Sequence, residues 1–274
     1  MGAHPYRDRV LGAFDLATAV TRRLDGVYEA AVLPGWDISG NANGGYLLAI
    51  AGRAMADAVG RPPLSVTAHF LSRGTVGPCT VEVVVVRVGR RTATASAAVK
   101  SNAETVITVI GTFADQVVAG PAVVNAKPPE LPPIEQCIRA SPPKVADEIG
   151  FGDQVDVRIR PEDASFRTGV PTGTAAVAGW FAFADGHPVD AVGLLQVSDA
   201  FVPVIFQRPE FPIAWAPTLE LTVHIRGVPA SGPLRCVFTS RFMQAGMFEE
   251  DGEMWDSDGV LVAQSRQLAL IPRG

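Results

Sequence analysis

Clustered basic residues, metal-ligand constellations and long apolar runs are all missing from this sequence, and each shortfall removes a class of function. The 23 Lys and Arg against 28 Asp and Glu leave a net charge of −5. Without a Lys/Arg cluster there is no electrostatic footprint for nucleic acid, whose phosphates take several neutralising cations to bind. Cys79, Cys137 and Cys236 are odd in number and far apart, and no CxxC or CxxxC pair opens a zinc site. They read as reduced filler residues of a cytoplasmic protein. His4, His69, His187 and His224 show no ligand spacing such as i, i+4 on a helix, so neither a metal nor any other cofactor is expected. No apolar run reaches the roughly 18 residues that span a bilayer. The N-terminus, MGAHPYRDRV, has neither a signal-peptide apolar region nor the hydroxyl of a myristoylation motif. The chain is therefore expected to be soluble and unprocessed, with no stable membrane insertion.

What is present is apolar. Hydrophobic residues make up 47% of the chain and charged residues 19%, with a mean hydropathy of +0.21, the signature of a well-packed globular protein. Its 274 residues exceed what one core fills at about 150 residues per domain, so two units are expected. Composition this apolar also points to sheets paired between subunits, that is, to a homo-oligomer.

Residues 43–58 (NGGYLLAIAGRAMADA) open with Gly-Gly and run into Gly60 and Pro62-Pro63, which predicts a buried helix with a clear stop. Strand-like runs follow at 65–72, 80–88, 92–100 and 105–113. Between 116 and 150 seven prolines, Pro121, Pro128, Pro129, Pro132, Pro133, Pro142 and Pro143, exclude sustained helix or interior strand and predict a surface linker. Beyond it come a strand at 155–160, an apolar run at 176–184, and a segment 188–202 that reads as a second helix with Pro188 at its first position. Four more strands are expected at 218–226, 234–242, 248–256 and 260–270. The two halves share one order of elements. Gly77-Pro78 and Gly232-Pro233 stand 155 positions apart, and Arg73-Gly74 and Arg226-Gly227 stand 153 apart, which suggests duplication. The expectation is an α+β chain of two tandem repeats, each an antiparallel sheet wrapped around a long central helix, over 1–115 and 151–274 with the linker at 116–150.

Asp199 is the most conspicuous chemical group. On a helix over 188–202 it shares a face with Val192, Leu195 and Val202, all apolar. A carboxylate there either loses water, with a perturbed pKa, or is a structural Asp satisfied by backbone amides or an Arg. Thr218 begins the next strand, and Gln267 lies inside the apolar run VAQSRQLAL, on the face of Ser265 and Ala269. Which face points inward is open, and a lone Thr or Gln in a strand is ordinarily a surface residue. Gly44 and Gly45 at the first helix's N-terminus present backbone N–H groups suited to a carbonyl or an anion; close packing against the sheet explains them equally.

GNANGGYLLAI and VTAHFLSRGTVGP in the first half, with LLQVSDAFVPV, TLELTVHIRG and DGVLVAQSRQLAL in the second, resemble the acyl-CoA thioesterases of the double-hotdog, thioesterase II type. The resemblance covers about 14–114 and 160–272. It implies a double-hotdog fold and hydrolysis of acyl-CoA, or of a related acyl thioester, by a water that an Asp, a Ser or Thr and a Gln activate without a covalent intermediate. Carried over, these are Asp199, Thr218 and Gln267, with Gly44 and Gly45, or Gln267 itself, as oxyanion donors. Where the family often has an acid-His after the hydroxyl residue and His-Arg-Pro near the strand's end, this chain has Glu220-Leu221 and Arg226-Gly227. One site per chain, dominated by the second half, is expected. The alternatives are a hotdog protein that binds acyl thioesters without hydrolysing them, an enoyl-thioester hydratase or dehydratase, for which no His lies near Asp199 in sequence, and a purely structural protein. Acyl-chain length would depend on how Trp180, Phe181, Phe183, Phe201 and Phe206 pack.

Overall fold

The computed structural model describes residues 11–115, 123–140 and 150–272. The N-terminal decapeptide, Pro121, Pro142 and Pro143 lie outside the described residues. The chain opens with helix α1 (Ala13–Ala17), strands β1 (Thr21–Leu24) and β2 (Val27–Val32), and a short hairpin of β3 (Asp37–Ile38) and β4 (Asn41–Ala42) that leads into helix α2 (Gly44–Val59). Strands β5 (Pro63–Phe70), β6 (Gly77–Val88), β7 (Ala93–Ser101) and β8 (Glu104–Phe113) follow, as the four apolar runs predict. The second part holds β9 (Ile138–Arg139), helix α3 (Phe151–Gln154), β10 (Val155–Ile159), β11 (Ala176–Phe183) and helix α4 (Gly193–Val197). It closes with β12 (Thr218–Ile225), β13 (Leu234–Thr239), β14 (Met243–Gln244), β15 (Met247–Trp255) and β16 (Leu261–Leu270).

All strands but the β3–β4 pair join one antiparallel sheet, in the order β1-β2-β6-β7-β8-β5-β12-β16-β15-β13-β11-β10-β9, with β14 on β15. Two runs of five within it, β2-β6-β7-β8-β5 and β11-β13-β15-β16-β12, follow the same order of succession. They meet at β5 and β12, where Thr67 faces Thr222 and the two hydroxyls are 2.9 Å apart. These residues are 155 positions apart, the spacing that separates the two Gly-Pro pairs. Both of those glycines, Gly77 and Gly232, have positive φ (136° and 122°), which suits a residue without Cβ.

Helix α2 starts where Asn43 accepts the Tyr46 N–H (3.0 Å) and stops at Gly60, whose left-handed backbone lets its N–H reach the Ala56 carbonyl (2.8 Å). Its residues 45–52 are all buried, because one side lies on the sheet and the other on α4. Gly52 lies where the two helices face each other, and a Cβ there would meet the tip of the Leu195 side chain at 2.6 Å.

Two expectations need correction. The second helix is not a long helix over 188–202. Asp190 caps it late by accepting the Gly193 N–H (2.7 Å), and Ser198 Oγ donates to the Leu195 carbonyl (2.7 Å) at its end, so only five residues are α-helical. The expected linker is not surface chain throughout. Its β9 adds an edge strand to β10, Cys137 and Ala140 are buried, and the Pro132 carbonyl accepts the Trp180 indole N–H (3.0 Å). Pro prevents interior strand but tolerates an edge. Trp180 thus faces the linker, whereas Phe181 and Phe183 point into the core. The three cysteines are free and buried.

Candidate active site

The β3–β4 turn, closed by Asp37 accepting the Gly40 N–H (3.0 Å), delivers Asn43 to the start of α2. Asn43 does more than cap its own helix. Its Nδ2 donates to the backbone carbonyl of Asp199 (2.7 Å) and to Asp199 Oδ2 (3.1 Å), while its Oδ1 also accepts from Gln196 Nε2 (2.9 Å). The Gly45 N–H donates to the same Asp199 Oδ2 (3.0 Å). The acid of the second half therefore sits on the N-terminus of the first half's helix. Asp199 occupies the turn just after α4, not mid-helix, and its N–H bonds the Gln196 carbonyl (3.2 Å).

The glycine pair is what lets the acid in. A Cβ on Gly44 would lie 2.8 Å from Asp199 Oδ2 and 2.9 Å from Phe70; one on Gly45 would lie 2.8 Å from the Gln196 carbonyl oxygen and 2.9 Å from that of Leu195. The expected oxyanion donors are consequently already engaged: Asp199 takes the Gly45 amide, and the Gly44 amide faces the carboxylate as well. Burial pushes the Asp199 carboxyl up to about 6, against the opposing pull of the Gly45 and Gly44 amides and the Asn43 side chain.

Thr218 and Gln267 come together directly. Thr218 Oγ1 donates to Gln267 Oε1 (3.2 Å) across the β12–β16 pair, where a bulge between Thr218 and Glu220 re-aims the strand's start. The inward face of β16 carries Ala263, Ser265, Gln267 and Ala269, all buried, which answers the question that alternation left open. Asp199 is tied to this pair through a residue that the sequence did not single out. Glu250 lies opposite Gln267 on β15, accepts from Gln267 Nε2 (3.3 Å), and feels the charge of Asp199. Its only sequence signal is a carboxyl at an inward position of an otherwise apolar row, between Phe248 and Gly252. His69 and His224 are exposed, opposite the buried faces of β5 and β12. Among the described residues no group of three or more metal-ligating side chains occurs, and no helix is long and apolar enough to cross a membrane.

Two family models match the chain: an acyl-CoA thioesterase N-terminal domain over residues 32–114 and an acyl-CoA thioesterase C-terminal domain over residues 129–271. A provisionally assigned thioesterase II from Thermobifida fusca YX superposes with a TM-score of 0.86 at 31% identity, covering 95% of this chain and 98% of that one. A conserved protein of unknown function with a hot dog fold from Alicyclobacillus acidocaldarius gives a TM-score of 0.83 at 24% identity, over 97% of this chain and 100% of that one. An uncharacterized protein of Mycobacterium tuberculosis is 27% identical over 268 residues, 90% of this chain and 91% of its own length. The large antiparallel sheet with few helices is thus an α+β, hotdog-like fold.

Proposed function

Because the chain belongs to the acyl-CoA thioesterase family, we propose that it hydrolyses acyl-CoA, with Asp199 as general base, Thr218 holding the attacking water, and Gln267 orienting Thr218 and serving the oxyanion. The observation that supports this reading is a buried acid seated on the N-terminus of α2, where Asn43 and Gly45 both donate to Oδ2; the reading assigns Oδ1 to the water. A carboxyl with a pKa near 6 is a stronger base than an ordinary Asp yet ionised at neutral pH. Water loses its proton to Asp199 as its oxygen bonds to the thioester carbon; the C–S bond then breaks, and the departing thiolate takes up the proton. Thr218 gives its hydrogen to Gln267 and keeps lone pairs for the water, and Gln267 Nε2 has a second hydrogen beyond the one donated to Glu250. That hydrogen is the donor for the developing oxyanion, the role the Gly44 and Gly45 amides leave vacant by serving Asp199.

The repeated strand order and the Thr67–Thr222 seam support reading the chain as two tandem hotdog units fused end to end, with the active site where α2 of one meets α4 of the other. The free, buried cysteines support a cytoplasmic setting. Strand β6 runs past its last pairing with β2 at Glu82 and exposes Val84, Val85, Val86 and Val88, which supports a homo-oligomer; light scattering should give a mass above that of one chain.

The direct test is thiol release from acetyl-CoA through palmitoyl-CoA. Turnover of at least one is expected, whereas tight binding without turnover of any would favour a carrier of acyl thioesters over a hydrolase. The rate should fall as pH drops through about 6, when Asp199 takes up a proton. Asn43→Ala removes a donor that favours the charged carboxylate, so this acid limb should move to higher pH. The lost helix cap should also lower stability by about 1 kcal/mol, measurable by urea unfolding.

A further inference from the structure

The mechanism above gives no task to Glu250, the buried carboxyl that lies against Gln267. Glu250 is 6% exposed and sits on the inward face of β15, in a row with Phe248 and Met254, which are fully buried. An apolar side chain would pack there with no penalty, whereas a carboxyl must be compensated. Its compensation comes from two donors at once: Gln267 Nε2 reaches Oε1 (3.3 Å) and the Val204 N–H reaches Oε2 (2.8 Å). With its nitrogen drawn to Glu250, the Gln267 amide has its oxygen turned to Thr218 (3.2 Å).

We propose that Glu250 is a positioning residue for hydrolysis: it fixes the Gln267 amide so that the carbonyl faces Thr218 and the spare N–H faces the substrate. This rests on the reading of Asp199, Thr218 and Gln267 given above. A carboxyl of this length turns an oxygen to each donor even when protonated, its carbonyl oxygen to one and its hydroxyl oxygen, which keeps lone pairs, to the other. Gln offers one oxygen and would turn its own N–H groups on one of the two donors, and Ala offers none.

The charge state follows from the surroundings. Burial, chiefly, pushes Glu250 up to about 8, and the charges of Asp199 and Glu249 add to this, while the Val204 N–H opposes it. The groups facing it are Asp199 from the turn after α4, Glu249 beside it on β15, uncharged Gln267 on β16 and the Val204 amide. Glu249 is itself held by Ser240 and the N–H groups of Arg241 and Phe242. At neutral pH Asp199 then carries the negative charge and Glu250 none. Above about 8 a second negative charge would stand beside the water and the developing oxyanion, and the rate should fall.

The experiment is the pH dependence of kcat and KM for the best-hydrolysed of the acyl-CoA panel, with wild type, Glu250→Gln and Asp199→Asn, each checked by thermal melting. Wild type should show a rise through about 6 and a fall through about 8. Glu250→Gln should keep the rise, lose the fall, and drop kcat roughly 10- to 100-fold with KM little changed, the cost of one unsatisfied buried donor. A folded Glu250→Gln enzyme with the wild-type kcat and both limbs would overturn the proposal. Should that variant not fold, Glu250→Asp takes its place: its carboxyl falls one methylene short of the two donors, so kcat should drop, and an unchanged kcat would overturn the proposal. Asp199→Asn separates the two readings: if it is inactive while the Glu250 variant keeps the wild-type kcat, only the Glu250 proposal fails, and if it is fully active, the Asp199 reading itself fails.

Discussion

Asp199→Asn should reduce kcat by roughly 10²- to 10⁴-fold, the range for loss of a general base, and leave the protein at least as stable as before. The amide oxygen of Asn can take the place of Oδ2 and still accept from Gly45 and Asn43, so the contact between α4 and the start of α2 persists. What disappears is an oxygen able to take a proton from water. The stability sign follows from the direction of the pKa change. The native state holds the Asp199 proton more tightly than an unfolded chain, since burial moves the group from 3.8 to about 6. Native protein therefore binds more protons between those values, and stability falls as pH rises through that window. Asn does not titrate. The variant should melt at or above the wild-type temperature at pH 8 and lose that advantage near pH 4. A group that lowers stability while raising rate behaves as a functional one does. Undiminished thiol release by the folded variant would remove Asp199 from the mechanism.

Gly45→Ala carries the second large effect. Its Cβ would press on two backbone carbonyl oxygens of α4, at 2.8 and 2.9 Å, and on Asp199 Cβ at 3.1 Å. Backbone cannot rotate away as a side-chain tip can, so α4 must shift and carry Asp199 with it. Overpacking of this kind costs about 1–3 kcal/mol, and a displacement of roughly 1 Å at a reacting group costs about 10²-fold in rate. Gly52→Ala is the internal control. It lies on the same face of α2 but meets only the end of the Leu195 side chain, which can move, and Ala improves helix propensity by up to about 1 kcal/mol. Gly45→Ala should lose about 100-fold in kcat and unfold at lower urea, with Gly52→Ala near wild type in both. Equal effects from the two would mean that the helix contact does not place the acid.

Much of the fold is legible in the sequence because the runs that form it are long and sharply bounded. Helix α2 announces itself by an apolar stretch between Asn43 and Gly60, and the strands of both meanders fall where Gly, Pro and Asn break them. The second helix misleads, since Pro188 and the apolar run after it suggest a full-length helix, while Asp190 and Ser198 bond to nearby backbone groups and confine it to five residues. Strand β9 was hidden among prolines because an edge strand needs so few hydrogen bonds that no pattern marks it. Glu250 is inconspicuous in the sequence for a related reason: an isolated acid in a strand is ordinarily on the surface, and only the pairing of β15 with β16 turns it toward Gln267.

The apolar excess, the shortage of basic clusters and metal ligands, and the matched order of elements in two halves were determined by the sequence alone, because composition and periodicity are local properties. The placement of the acid was decided by tertiary structure. Asp199 and Gly45 are 154 positions apart, and no spacing rule connects them. Their contact exists because two small residues let α2 approach α4 closely enough for a carboxylate to accept a helix N-terminal amide. That contact turns the glycine pair, which reads in sequence as a set of free donors for a carbonyl or an anion, into the seat of the Asp199 carboxylate.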